Sequence, residues 1–377
     1  MKSIVSQRTS SHLMLITLAS LAVVACGTAV SPGVQSGVPA SAIDASSPDG
    51  VATESNVRPW IDTHTHPSGI HSECSTQECV NAVVKTMDAF GLRKAILIHP
   101  PSPSGVQTSE CESLTKDAVA LRPDRFLLGV GGCELNAKVQ ATSPSGVADA
   151  AMRAAFREAA ERLISTPGAI AFGEMAALHL SYEPSHAFEE ISASADLFGE
   201  LAAVAASHKA PIDLHMDVVS ATKTTPTFYT SRSALNPAQI KENVSGLEQL
   251  LSSNPNTAIV WAHVGRDTTG DLTLDLIDRL LKAHENLFIQ LAPNFGPLGS
   301  ANAILDANSV VRPEWVSLIS KYSSRVLIGS DTFFSGTTAD EKQLRVIQQL
   351  LKDLPEDVAY RVGCENAVRI YRLPSGC

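Results

Sequence analysis

Trp60-Ile61-Asp62-Thr63-His64-Thr65-His66 is a run that begins apolar and ends in two histidines. Side chains two apart on a strand point to one side, so His64 and His66 can place both imidazoles in one pocket. Asp62 shares that face one layer deeper, as an orienting group or a buried hydrogen-bonding group. Taken alone, H-x-H is weak evidence of a site. Its weight comes from seven further short apolar runs, at 94–99, 126–133, 169–174, 211–215, 258–263, 287–292 and 326–331. Most are Ile/Val/Leu-rich without strict alternation, the pattern of strands buried on both faces.

Helical spacing fills the gaps between the runs. Val80, Val83, Val84, Met87 and Phe90 fall on one helix face, as do Leu274, Ile277, Leu280 and Leu281. Alanine-rich stretches at 147–164 and 195–207 have high helix propensity. Strand and helix alternating eight times predict a single α/β domain, a closed (β/α)8 or TIM barrel. An open doubly wound sheet would usually carry a glycine-rich nucleotide loop after its first strand, and no G-x-G-x-x-G stands there.

The runs share a way of ending. Glu174 closes the fourth, His215 the fifth, His263 the sixth and Asp331 the eighth. In such a barrel these C-terminal ends ring one mouth, where active sites of the fold lie. Four histidines and two carboxylates there suit one or two borderline divalent cations, zinc first, with manganese or iron as alternatives. His179 and Arg266, just past Glu174 and His263, are candidate substrate contacts. His99 reads as a strand cap, and His71, His186, His208 and His284 as surface. The stretch 293–308 has the composition of a loop that shapes a pocket.

The rest of the composition bounds partners and location. Twenty-nine basic against thirty-nine acidic residues give a net charge of −10, and aromatics are 5%. That balance repels phosphate backbones and offers few stacking platforms, so nucleic acid is not an expected partner. Lys2 and Arg8 precede an apolar stretch at 13–25 that ends Leu21-Ala22-Val23-Val24-Ala25-Cys26-Gly27. This predicts a signal peptide over 1–25 and a lipidated Cys26, resembling bacterial lipoproteins. Residues 26–56 then read as a flexible tether, leaving 57–377 as the folded domain, held at the cell envelope by lipid alone. Six cysteines remain, with fifteen possible pairings. The shortest closures are Cys74 with Cys79 and Cys364 with Cys377, leaving Cys111 with Cys133.

The order of strand-end residues resembles the amidohydrolase superfamily. The strings I-D-T-H-T-H-P, I-D-L-H-M-D, V-W-A-H-V-G and V-L-I-G-S-D, and the ending Glu365-Asn366-Ala367-Val368-Arg369-Ile370-Tyr371, resemble its amidohydrolase-related branch over about residues 58–373. The resemblance implies that His64, His66 and Asp331 hold one cation and His215 with His263 a second, bridged by Glu174. Glutamate stands where some members carry a carbamylated lysine. One-metal members are similar too, with His215 completing the single site and His263 bonding the substrate. Either version implies hydrolysis of an amide, ester or lactone bond in a small molecule. The cation lowers the pKa of a water to about 7. Asp331 would shuttle its proton, while the cation or a protonated His263 would meet the developing oxyanion. The alternatives are a TatD-like phosphodiesterase or nuclease, a decarboxylase with the same ligand set, and a non-catalytic envelope binding protein.

Overall fold

All seven residues of Trp60–His66 are buried, as are all of Ile212–Met216, Ile259–Val264 and Leu287–Leu291. Strands so covered need packing on both sides, and the alternating helices supply it. The computed structural model describes residues 57–67, 75–102, 113–292, 302–306, 308–334 and 341–377. Its first half runs β1 Trp60–His66, α1 Thr76–Ala89, β2 Leu92–Leu97, α2 Ser113–Leu121, β3 Phe126–Gly131, α3 Ala150–Ile164, β4 Ala169–His179 and α4 Asp196–His208. The second half runs β5 Ile212–Met216, α5 Val244–Ser253, β6 Ile259–Val264, α6 Leu274–Ala283, β7 Leu287–Leu291, α7 Pro313–Lys321, β8 and α8 Glu341–Asp353. The last strand, β8, comes in two pieces, Val326–Ile328 and Thr332–Phe333.

Each strand pairs in parallel with its neighbours in chain order. The second piece of β8 pairs in parallel with β1, Thr65 facing Thr332 and His66 facing Phe333, so the sheet closes on itself. This is the (β/α)8 barrel that the alternation predicts. Local chemistry starts its helices where expected. Ser75 and Glu78 form a reciprocal capping box on α1, and Asp149 and Thr273 cap α3 and α6. Val80, Val83, Val84 and Met87 turn inward from α1, as Ile277, Leu280 and Leu281 do from α6.

Two large bodies of apolar side chains result, with a smaller third around Leu178, Val219 and Tyr229. One lies between strands and helices. The other fills the lower barrel, where Ile61, Ala171, Val260 and Leu327 pack with Ala367, Ile370 and Tyr371 of the last helical turns. The closing segment thus seals the end of the barrel away from the strand C-termini. Cys364 and Cys377 are joined by a disulfide there, as the shortest closure predicts. Cys79 and Cys133 are each disulfide-bonded as well.

Strand boundaries fall within two residues of expectation, with two corrections. β4 continues past Glu174 to His179, because a two-residue strand, Glu189–Glu190, pairs antiparallel with its end. β8 breaks at 329–331, so Asp331 lies in a gap and not on the strand. The expected signal peptide, Cys26, the tether to residue 56, His71, Cys74 and Cys111 lie outside the described residues. No helix among the described residues is long and apolar enough to cross a membrane.

Candidate metal centre

The six strand-end donors meet. His64 and His66 stand on β1, Glu174 on β4, His215 on β5, His263 on β6 and Asp331 in the β8 gap, all at the C-terminal end of the barrel. Their ligand atoms form three overlapping groups: His64, His66 and Glu174; His64, His263 and Asp331; Glu174, His215 and His263. Within each group the atoms lie within 4.8 Å of one another.

Ring orientation decides which nitrogen each histidine offers. The Nδ1 of His66 donates to the Ile98 carbonyl at 2.8 Å, which leaves Nε2 facing the cluster. His64 turns Nδ1 to both oxygens of Asp213, each at 3.1 Å, and likewise presents Nε2. The Nε2 atoms of His64 and His66 are 3.2 Å apart, and those of His64 and His263 3.3 Å. Two nitrogens bound at roughly 2.05 Å to one tetrahedral cation would lie about 3.3 Å apart. The donors therefore fit a divalent cation. His215 is turned the other way, with Nδ1 2.7 Å from Glu174 Oε1 and Nε2 3.7 Å from Asp217.

Glu174 divides its oxygens. Oε1 faces His215 and lies 3.8 Å from His263, while Oε2 lies 3.6 Å from His64 and 3.5 Å from His66. Asp331 divides its oxygens too. Oδ1 lies 3.2 Å from His66 and 3.6 Å from His263, and Oδ2 is bound by Arg266 at 2.6 Å. His263 and Asp331 both have left-handed backbones, with φ of 59° and 53°. Such conformations are uncommon outside glycine and cluster at functional sites.

Charge follows from burial and neighbours. Burial alone would push the His64 imidazole down, yet Asp213 and Glu174 raise it well above its ordinary value. His215 is likewise raised to about 10, with Asp217 and Glu174 outweighing burial. Glu174 and Asp331 are held well below the usual carboxylate range against burial, by His64 and His215 in one case and His263 and Arg266 in the other. His263 goes the opposite way: burial pushes its imidazole well below the ordinary value, against the pull of Asp331.

Asp62 sits as an internal staple. It accepts from the His64 backbone N–H at 3.1 Å, the Ser330 N–H at 2.8 Å and the Ser330 hydroxyl at 2.5 Å. Asp213 is the carboxylate that orients the His64 ring. His99 Nδ1 donates to the Pro100 carbonyl at 2.6 Å, which agrees with a strand cap.

A cavity of about 380 Å³ opens above the donors, lined by Pro100, Pro101, Tyr182, His186, Arg266 and Phe333, among others. A second lobe of about 420 Å³ runs past His179 to Phe228, Tyr229 and Arg232. His179 borders both lobes, its ring 4.3 Å from that of His215. His186, expected on the surface, stacks between His179 at 4.2 Å and Tyr182 at 3.9 Å, because the chain folds back after β4. Sequence reasoning missed Asp213 and Asp217. The signal was there: Asp213 and His215 alternate on β5 and so share a face, and Asp217 follows at the same spacing just past its end.

No curated protein sequence matches the chain. Among solved structures, a Staphylococcus aureus protein described as an amidohydrolase is 14% identical, covers 84% of this chain and 100% of its own, and has a TM-score of 0.48. The organophosphorus hydrolase of Deinococcus radiodurans is 13% identical, covers 82% and 92%, and has a TM-score of 0.47. The amidohydrolase family model matches residues 61–373. That match runs from the start of β1 past the last helix, and the chain belongs to the amidohydrolase family of metal-dependent hydrolases.

Proposed function

We propose that the chain hydrolyses an amide, ester or lactone bond of a small molecule, using two divalent cations, zinc first, with Asp331 as proton shuttle. The observation that carries this is the division of Glu174, one oxygen toward His64 and His66 and the other toward His215 and His263. A carboxylate so placed suits a bridge between two cations. His64, His66 and Asp331 would hold one, and His215 with His263 the other. A cation held there polarises a carbonyl oxygen and makes water acidic enough to attack near neutral pH.

The chain's own residues supply the remaining steps. Arg266 fixes Asp331 through Oδ2 and keeps it ionised, so that Oδ1, turned to the donors, would accept the proton of the attacking water. Asp331 then returns that proton to the leaving group. Buried His263 turns its Nε2 to the cluster, where it would serve as a ligand. A mouth of several hundred Å³ suits a small molecule, with His179 and Arg266 as its polar contacts and Phe333 and Tyr182 as its apolar walls. The net charge of −10 weighs against a phosphodiester backbone as substrate. We place the enzyme at a bacterial envelope, tethered by lipid on Cys26, on the composition of residues 1–56.

Elemental analysis of the purified chain gives metal identity and atoms per chain, and two are expected. Asp331→Asn should lower kcat on the order of 10²–10⁴-fold while the chain stays folded. Full activity in that variant would remove the shuttle. Carbon dioxide release, or nuclease activity, would favour the decarboxylase or the phosphodiesterase instead.

A further inference from the structure

Beneath the six donors lies a polar layer that the hydrolytic chemistry leaves unused. Thr63 of β1, Asp213 of β5 and Gln290 of β7 are each at most 1% exposed. Gln290 Nε2 donates to Asp213 Oδ2 at 3.2 Å and to Thr63 Oγ1 at 2.8 Å. The Thr63 hydroxyl donates in turn to the Ile328 carbonyl of β8 at 2.8 Å. Four strands are thus linked by side chains across the inside of the barrel. Two glycines make the room. A Cβ on Gly173 would come within 2.6 Å of the Asp213 Cβ, and one on Gly329 would collide with the Gln290 side chain.

Asp213 ends this chain on His64. An ionised carboxylate accepts and cannot donate, so the proton between them belongs to His64 Nδ1, and Nε2 is the atom the ring turns to the cluster. The three histidines that present Nε2 are backed unequally. His66 has the Ile98 carbonyl behind it, whereas His263 Nδ1 is buried with no hydrogen-bond partner among the described residues. His64 alone of these has a carboxylate behind it, and it belongs to two of the three donor groups.

We propose that Asp213, held by Gln290, is a positioning residue that fixes the ring and proton of His64 and so makes it the ligand that governs cation affinity. The proposal rests on the metal-centre reading above. A carboxylate behind a ligating imidazole fixes its tautomer and raises its basicity, and losing it typically weakens binding 10- to 100-fold.

The test measures zinc affinity by chelator competition, with nitrogen and proton NMR of the histidine side chains in the metal-free chain. In the wild type, His64 Nδ1–H should give a downfield, slowly exchanging resonance. Asp213→Asn should move or abolish it and weaken zinc about 10- to 100-fold, with helix content retained. Gln290→Met leaves Asp213 in place and serves if Asp213→Asn does not fold; it should move the same resonance and weaken zinc several-fold. Zinc affinity within twofold of wild type in a folded variant overturns the proposal, as does an exchange-unprotected His64 Nδ1 proton in the wild type. A wild-type chain that takes up no zinc would instead sink the metal-centre reading, and the resonance would then decide the role of Asp213 alone.

Discussion

Arg266 Nη2 lies 2.6 Å from Asp331 Oδ2, so the carboxylate at the break in β8 carries a permanent cation on its outer oxygen. The guanidinium holds Asp331 in one orientation and lowers its affinity for a proton. Replacing Arg266 with Gln removes that positive charge and should raise the pKa of Asp331. The acidic limb of kcat/KM against pH should then move upward by about one unit or more. An unmoved limb would mean that Asp331 is not the group whose ionisation it reports.

Removing the cation should cost stability and restoring it should depend on pH. A ligand at 100 times its Kd stabilises by about 2.7 kcal/mol, which for a domain of this size is roughly 4 °C in Tm. Without a cation, His64 and His215 are raised by their carboxylate neighbours against burial and hold protons that must leave on binding. Affinity should therefore fall as pH falls. Thermal melts with and without chelator, and zinc titrations at two pH values, check both statements.

Glu189 gives a pH signature away from the six donors. Burial pushes its carboxyl up from 4.5 to about 7, with the Asn136 amide pulling the other way. Between those values the folded chain keeps a proton that the unfolded chain has lost. Stability should therefore fall by about 1.4 kcal/mol per pH unit as pH rises through that window, and level off above it. Glu189→Gln should flatten the slope of unfolding free energy against pH, since its amide oxygen can still accept from Asn136. A variant with the wild-type slope would show that Glu189 is not the source.

Asp62 predicts a structural effect. Asp62→Ala would strip acceptors from the buried N–H groups of His64 and Ser330. Leaving such donors unpaired costs about 1–3 kcal/mol each, so Tm should drop by at least roughly 3 °C. A melt within 1 °C of wild type would contradict the staple.

The eight strands and the six donors were readable because each depends on local pattern: an apolar run, and the residue at which it stops. What depended on distant partners was not. Asp62 and Asp213 both stand two residues before a donor histidine, and nothing in either string says which would orient a ring. The answer lies in contacts between positions 64 and 213, and between 62 and 330, which only closure of the barrel brings together. His186 looked like a surface residue because its partners, His179 and Tyr182, reach it only after the chain reverses beyond β4. The extra length of β4 has the same origin, since its pairing partner Glu189–Glu190 is too short to announce itself.

The broken eighth strand has one more implication. Its joint with β1 relies on Thr63 and Thr65 hydroxyls bonded to the Ile328 and Thr332 carbonyls and on the Asp331 N–H bonded to the His64 carbonyl. His64 and His66 stand on one side of that seam and Asp331 on the other. An ion gripping all three would act as a rivet through the hoop, so that loading the enzyme and locking its last stave become one event.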